Sequence, residues 1–135
     1  MDLGGERLGL TIGSLVGLSL EPPLVGVSVS RQAAMHELLR GAGGFALSLL
    51  AGDQEGVAQH FARGVPPFAH WHGIATRPGA EGAPLIDDAL GWLECRTTGE
   101  HEAGDHTLFV GEVLAAERGR AAPPLVYVDQ RYVSL

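Results

Sequence analysis

Cysteine is nearly missing from this chain: Cys95 stands alone among 135 residues. That excludes an intrachain disulfide and any multi-thiolate zinc site. Its setting, Trp92-Leu93-Glu94-Cys95-Arg96, reads as a strand, so the thiol is expected in the core rather than at a reactive position. Long apolar runs are also missing. None approaches the roughly 20 residues that span a bilayer, and the segment from Met1 to Arg7 has no basic region followed by an apolar core, so no signal peptide is expected. A cytoplasmic location without a membrane partner is the resulting expectation. Positive charge is scarce: nine Lys and Arg face 16 Asp and Glu, for a net charge of −7. A duplex nucleic-acid surface needs a basic face. The one tight cluster, Arg118-Gly119-Arg120, falls in a turn, so no nucleic-acid partner is expected. A Walker loop, a His-Glu-x-x-His pair and a nucleophile elbow are all lacking.

What is present describes a globular chain, 45% hydrophobic and 19% charged, expected to form a single domain over residues 1–135 with one core. Twenty glycines and eight prolines punctuate it into short elements. Leu24 to Ser30 alternates at period two after Pro22-Pro23 and reads as a strand. Gln32 to Arg40 carries Ala34, Leu38 and Leu39 at helical spacing, with Gly41 as the expected C-cap. Phe45, Leu47 and Leu49 alternate as a further strand. Asp53 is placed to cap a helix running to about Arg63, with Val57, Ala58, Phe61 and Ala62 on its buried stripe. Residues 64 to 88 are turn-rich and receive no assignment. Strands resume near Leu90–Thr97, His106–Ala116 and Leu125–Val128. Short connections between these late strands argue for antiparallel pairing, hence a mainly β barrel with helices outside it.

Several constellations could carry chemistry. Gly41-Ala42-Gly43-Gly44-Phe45-Ala46 fits a degenerate dinucleotide fingerprint, but it follows a helix and opens a strand, the reverse of what the fingerprint requires, and so reads as a turn. His70-Trp71-His72 places two imidazoles on one side if extended, but without acidic or thiol partners at a recognisable spacing, so no metal site is expected. His36 and His60, on predicted helices, are expected at the surface, and His101, between Glu100 and Glu102, in a solvated turn. At Ser28-Val29-Ser30-Arg31 a strand gives way to a helix. Ser30 is placed to cap that helix, and Arg31 adds a cation beside free N–H groups. The segment is either an ordinary N-cap with a solvent-facing arginine or a phosphate site. Finally, the turn Gly104-Asp105 leads directly into Thr107-Leu108-Phe109-Val110-Gly111-Glu112-Val113, which holds His106 at the mouth of a strand, rigid and reachable.

Read together, Gly9-Leu10-Thr11-Ile12-Gly13-Ser14-Leu15, Ser19-Leu20-Glu21-Pro22-Pro23-Leu24 and the segment from Gly104 to Val113 resemble the flavin reductase-like family, and the likeness runs from about residue 8 to 135. It implies an antiparallel FMN-binding split β-barrel with two or three peripheral helices. It also implies an enzyme that passes hydride from NADH or NADPH to FMN (FAD being possible) and supplies reduced flavin to a monooxygenase component. Thr11 and Ser14 match a family segment whose hydroxyls and backbone amides contact FMN; Gly13 and Leu15 replace its first serine and its phenylalanine. The resemblance assigns Ser28, Ser30 and Arg31 to the phosphate and His106 to the nicotinamide, as hydrogen-bond donor or steering group. Family members usually carry a helix and strand before the Gly-x-Thr segment, and this chain starts almost at that segment. A symmetric homodimer whose interface includes Leu15, Leu18 and Val25 is expected to cover the face so exposed. The rival reading is a non-catalytic flavin- or haem-binding module, or a degenerate barrel.

Overall fold

The computed structural model describes residues 2–3, 6–63 and 70–135. Its strands are β1 (Asp2–Leu3), β2 (Glu6–Arg7), β3 (Val16–Leu20), β4 (Pro23–Ser30), β5 (Gly44–Leu49), β6 (Thr76–Pro78), β7 (Pro84–Ile86), β8 (Gly91–Ala103), β9 (His106–Arg118), β10 (Leu125–Val128) and β11 (Arg131–Ser134); the helices are α1 (Ala34–Ala42) and α2 (Glu55–Ala62). All strand pairs are antiparallel. Five strands form the main sheet in the order β3-β4-β9-β8-β5, and β1–β2, β6–β7 and β10–β11 are separate pairs.

Alternation along the strands decides what each face does. Val27 and Val29 of β4, Phe45 of β5, Cys95 of β8 and Phe109 of β9 share one face, where Met35, Leu38 and Leu39 of α1 cover them. Phe109 is wholly buried. On the opposite face, Trp92 meets Leu85 and Ala89, and its indole N–H donates to Ile86 O at 2.8 Å. Toward β3 on that opposite face Val16 and Leu18 are each 45% exposed, and a Cβ placed on Gly26 would lie 3.1–3.2 Å from Leu108, Leu18 and Val16 side chains. These three side chains therefore form an apolar strip on the uncovered side.

Several expected boundaries move. Helix α1 begins at Ala34 and ends at Ala42, capped by Gly43 at φ 76°, not by Gly41. Asp53 does not cap α2. Gln54 occupies the N-cap position, while Asp53 accepts two hydrogen bonds from the Arg120 guanidinium. Strand β8 runs on to Ala103, so His101, although exposed, lies in a strand rather than a turn. Two strands, β6 and β7, fall within the unassigned residues 64 to 88, of which 64–69 lie outside the described residues.

Candidate functional site

The β4–β9 ladder gathers most of the predicted residues at one end of the sheet. Ser28 stands opposite Leu108 and Ser30 opposite His106. The Ser14 hydroxyl clamps β4 from the other side, donating to Ser28 O at 2.9 Å and accepting from Ser28 N–H at 3.0 Å. Beyond β4, the Arg31 N–H donates to Asp105 O at 2.9 Å. The Arg31 guanidinium reaches Gly104 O and the Glu102 carboxylate, each at 3.5 Å. Ser14, Ser28, Ser30, Arg31 and His106 thus share a corner. Thr11 does not. Its hydroxyl donates to Ala58 O of α2 at 2.6 Å, and it lines a neighbouring cleft.

The corner's donors differ from the expected set. Ser30 does not cap α1, whose N-cap is Ala33 with no side-chain bond. The N–H groups just after β4 are already taken, Arg31 by Asp105 O and Ala33 by Ser30 O, while Gln32 N–H donates to Ser30 Oγ at 3.3 Å. Left for an anion are the Ser30 hydroxyl proton, the half-exposed Arg31 guanidinium and the N–H groups of Ala34 and Met35, which have no partner among the described residues. Charged donors of this kind give the strongest hydrogen bonds to phosphate.

Thr11 and Ser14 each donate their only hydroxyl proton to a protein carbonyl, so toward a ligand both act as acceptors alone. Donors in their loop come from the backbone instead. The N–H groups of residues 10–15 meet no acceptor among the described residues, and a Cβ on Gly13 would touch nothing within 4 Å. A strip of unpaired amides beside a cationic corner fits an aromatic ring system rich in acceptors and joined to a phosphate, as FMN is.

His106 is held by its neighbour. Its Nδ1 lies 2.8 Å from Asp105 Oδ1; the ring is 44% exposed, and Nε2 faces outward without a described partner. The hydrogen bond from His106, and then its charge, hold the Asp105 carboxyl below the usual carboxylate range. Gly104, at φ 65°, opens the two-residue hairpin that sets this geometry. A first central residue with positive φ is what a II′ turn demands.

Beside the corner lies an open, mainly apolar cleft walled by Gly9, Thr11, Ile12, Met35, Phe45, Phe61 and Trp71. Next to Trp71 of its wall stands a histidine whose bonding the sequence did not disclose. Buried His70 accepts at Nδ1 from Gly9 N–H at 3.2 Å, which fixes the neutral tautomer protonated at Nε2. Desolvation, then the nearby His60, push His70 below the ordinary histidine value. His60 Nε2 lies 2.6 Å from His70 O, so His60 is not the free surface group that its helical position suggests. His36 is a further correction. It is buried, with Nε2 2.8 Å from Thr107 Oγ1. Among the described residues no three His, Cys, Asp or Glu side chains converge as a metal-ligand group. Cys95 is buried as expected, and desolvation followed by Glu94 raises its thiol to about 11.

Sheet, amide-lined loop and cationic corner together make a mainly antiparallel β domain whose donors suit a phosphorylated aromatic ligand. The chain belongs to the flavin reductase-like family, with residues 2–135 matching the family model described as "Flavin reductase like domain". It is 42% identical over 130 residues to the reductase component of 4-hydroxyphenylacetate 3-monooxygenase from Thermus thermophilus, covering 96% of this chain and 80% of that protein. Among solved structures, the NADH:FAD oxidoreductase of Streptomyces globisporus superposes with a TM-score of 0.93 at 38% identity, covering 98% of this chain and 80% of that one. The same enzyme has been solved in complex with NAD and FAD fragments. The flavin reductase component of a bacterial two-component tryptophan halogenase superposes with a TM-score of 0.92 at 38% identity, with coverage of 98% and 84%.

Proposed function

We propose that this chain is an NADH-dependent flavin reductase that binds FMN or FAD and supplies reduced flavin to a partner oxygenase. The observation that carries this reading is the near-complete match, in sequence and in fold, to proteins named as reductase components and NADH:flavin oxidoreductases. Those names favour an enzyme over a non-catalytic flavin- or haem-binding module. Bound flavin supplies the hydride-accepting chemistry, and the protein supplies binding, orientation and shelter from water.

In this reading the amides of residues 10–15, with Thr11 and Ser14 as acceptors, hold the ring system. Ser30 and Arg31 hold the phosphate, with Ser28 behind them as the backbone link to Ser14. His106, with Nε2 outward, steers the nicotinamide. The chain acts as one domain. Its strands close as the family's split β-barrel, and two copies pair through the bare apolar strip of Val16, Leu18 and Leu108. Dependence on NADH and a free buried thiol accord with a cytoplasmic setting, and the net charge of −7 disfavours nucleic acid. One preparation tests the core of this reading: purified protein mixed with FMN and NADH should bleach the flavin absorbance near 450 nm, a property of flavin itself. Unchanged absorbance together with no quenching of FMN fluorescence would refute it.

A further inference from the structure

A buried side-chain bond ties the two halves of the corner together. His36, in the first turn of α1, and Thr107, on β9 beside His106, are each 4% exposed and meet through Nε2 and Oγ1 at 2.8 Å. The other ring nitrogen of His36 lies 3.1 Å from a Glu37 carboxylate oxygen, and the ring edge packs on Phe109 with centroids 5.6 Å apart. Helix α1 starts beside the corner, and the N–H groups of its first two residues, exposed Ala34 and buried Met35, have no partner among the described residues. Among the described residues, the chain from Arg31 to His36 is tied to the β8–β9 hairpin at its two ends, by Arg31, whose N–H donates to Asp105 O and whose guanidinium reaches Gly104 O and Glu102, and by His36 to Thr107. In the β4–β9 ladder Val29 pairs with Thr107 and Ser30 with His106 on adjacent rungs. Without the His36–Thr107 bond, the first turn of α1 would keep the Arg31 ties upstream and its apolar face, and an apolar face fixes depth better than rotation.

We infer that His36 is a positioning residue, acting through Thr107 to aim the first-turn N–H groups of α1 and the Arg31 corner at a flavin phosphate. This rests on the phosphate reading of the corner given above. A threonine hydroxyl suits the task, because it can donate to a neutral imidazole or accept from a charged one, so the tie holds in either state.

The test uses the whole chain and two substitutions. Thr107→Val keeps the shape and removes the hydroxyl, while Thr107→Ser keeps the hydroxyl. Titrations with FMN and with riboflavin, which lacks the phosphate, are read by fluorescence quenching, and amide hydrogen exchange is followed over residues 31–36. Thr107→Val should weaken FMN about three- to tenfold, the share of one neutral hydrogen bond. Riboflavin should stay within about twofold, inside the scatter of a neutral surface change, and the hydrogen-bonded amides of Ala33 and His36 should exchange faster. Thr107→Ser should match the unsubstituted protein in all three. If Thr107→Val fails to fold, His36→Asn, which keeps the Glu37-facing atom and gives up the Thr107 contact, should show the same FMN-selective loss. Equal weakening of FMN and riboflavin, or unchanged FMN affinity and exchange, would overturn the inference. Should the unsubstituted protein bind both ligands equally, the phosphate reading fails. The exchange difference between Thr107→Val and Thr107→Ser then still decides whether His36 aims the first turn of α1.

Discussion

At the scale of single residues, the corner separates recognition of phosphate from recognition of nicotinamide. Arg31 shares its charge with exposed Glu102 at 3.5 Å, a surface pairing worth about 0–1 kcal/mol that a phosphate can displace. Arg31→Ala should therefore raise the Kd for FMN roughly ten- to a hundredfold, from about 1.5–3 kcal/mol of charge-assisted bonding, and leave riboflavin almost untouched. Parallel titrations of the two ligands check it. His106→Ala should lower kcat/KM for NADH by about tenfold or more while FMN affinity holds; steady-state kinetics beside an FMN titration separate the two, and a large loss of flavin binding would move His106 into the flavin site. His70 carries a pH prediction. Its bond from Gly9 N–H needs the unprotonated Nδ1, and its folded value lies below 6.5. The unfolded chain therefore binds the extra proton first as the pH drops. The stabilisation is complete above the ordinary histidine value and is lost as the pH falls from there through the lowered folded value, with a slope of up to about 1.4 kcal/mol per pH unit. Thermal unfolding at stepped pH should show this slope, and His70→Asn, which keeps an acceptor near Nδ1 but does not titrate, should flatten it. At this scale the sequence disclosed the corner's membership better than its bonding. Ser14, Ser28, Ser30, Arg31 and His106 were legible, whereas the commitment of the Arg31 N–H to Asp105 O, across 74 positions of chain, was not.

At the scale of elements, the strands could be read and the helix ends could not. Period-two alternation marked β4, β5 and β9 closely because one face of each carries the buried side chains of the core. Helix α1 starts later than its cap residue suggests because a tertiary contact has already claimed Arg31, and it runs through Gly41 because Gly43, two residues on, takes the left-handed conformation that ends it. His36 was misplaced because it flanks the stripe of Met35, Leu38 and Leu39 and looks polar enough to face water. Strand β8 outruns its expected end at Thr97 because Gly99 to Ala103 pairs with β9 past the core, where no apolar pattern is required. The β10–β11 hairpin turns on Asp129 and Gln130 at φ 52° and 61°, a conformation that Asn-Gly would have announced. Entry into α2 depends on Gln54, nearly buried, which accepts from Ala51 N–H and donates to Asp87 O, each at 2.9 Å. Gln54→Ala should cost about 2–4 kcal/mol by leaving two backbone groups unpaired; urea unfolding should show it, and a loss under about 0.5 kcal/mol, the size of a neutral surface change, would mean water replaces both bonds.

At the scale of the molecule, the uncovered side of β3, β4 and β9 bears on the proposed pairing of two copies. Leu15, Val16 and Leu18 are 37–45% exposed and Leu20 is 95% exposed, whereas Val25 packs against the core and so leaves the set first expected at an interface. Leu18→Asp should convert a dimer to a monomer near 14 kDa by light scattering at micromolar concentration. A single Leu-to-Asp change at a buried contact removes apolar burial and strands a charge; a chain already monomeric without the substitution would dismiss the pairing. The mainly antiparallel architecture was legible from the short links between late strands, but the five-strand order was not, since β5 joins the sheet beside β8 across more than forty residues. The segment from Gly9 to Ser14 has a mechanical consequence. Ser14 is bolted to the Ser28 backbone by two hydrogen bonds that involve no titrating group, while Gly9 hangs on one bond to an imidazole. Thr11, whose hydroxyl donates to Ala58 O, pins the middle, so the segment overhangs its supports only from Thr11 to Gly9. Acid should loosen its far end alone, quickening exchange of ligand at the cleft rim while the grip nearest the sheet stays unchanged.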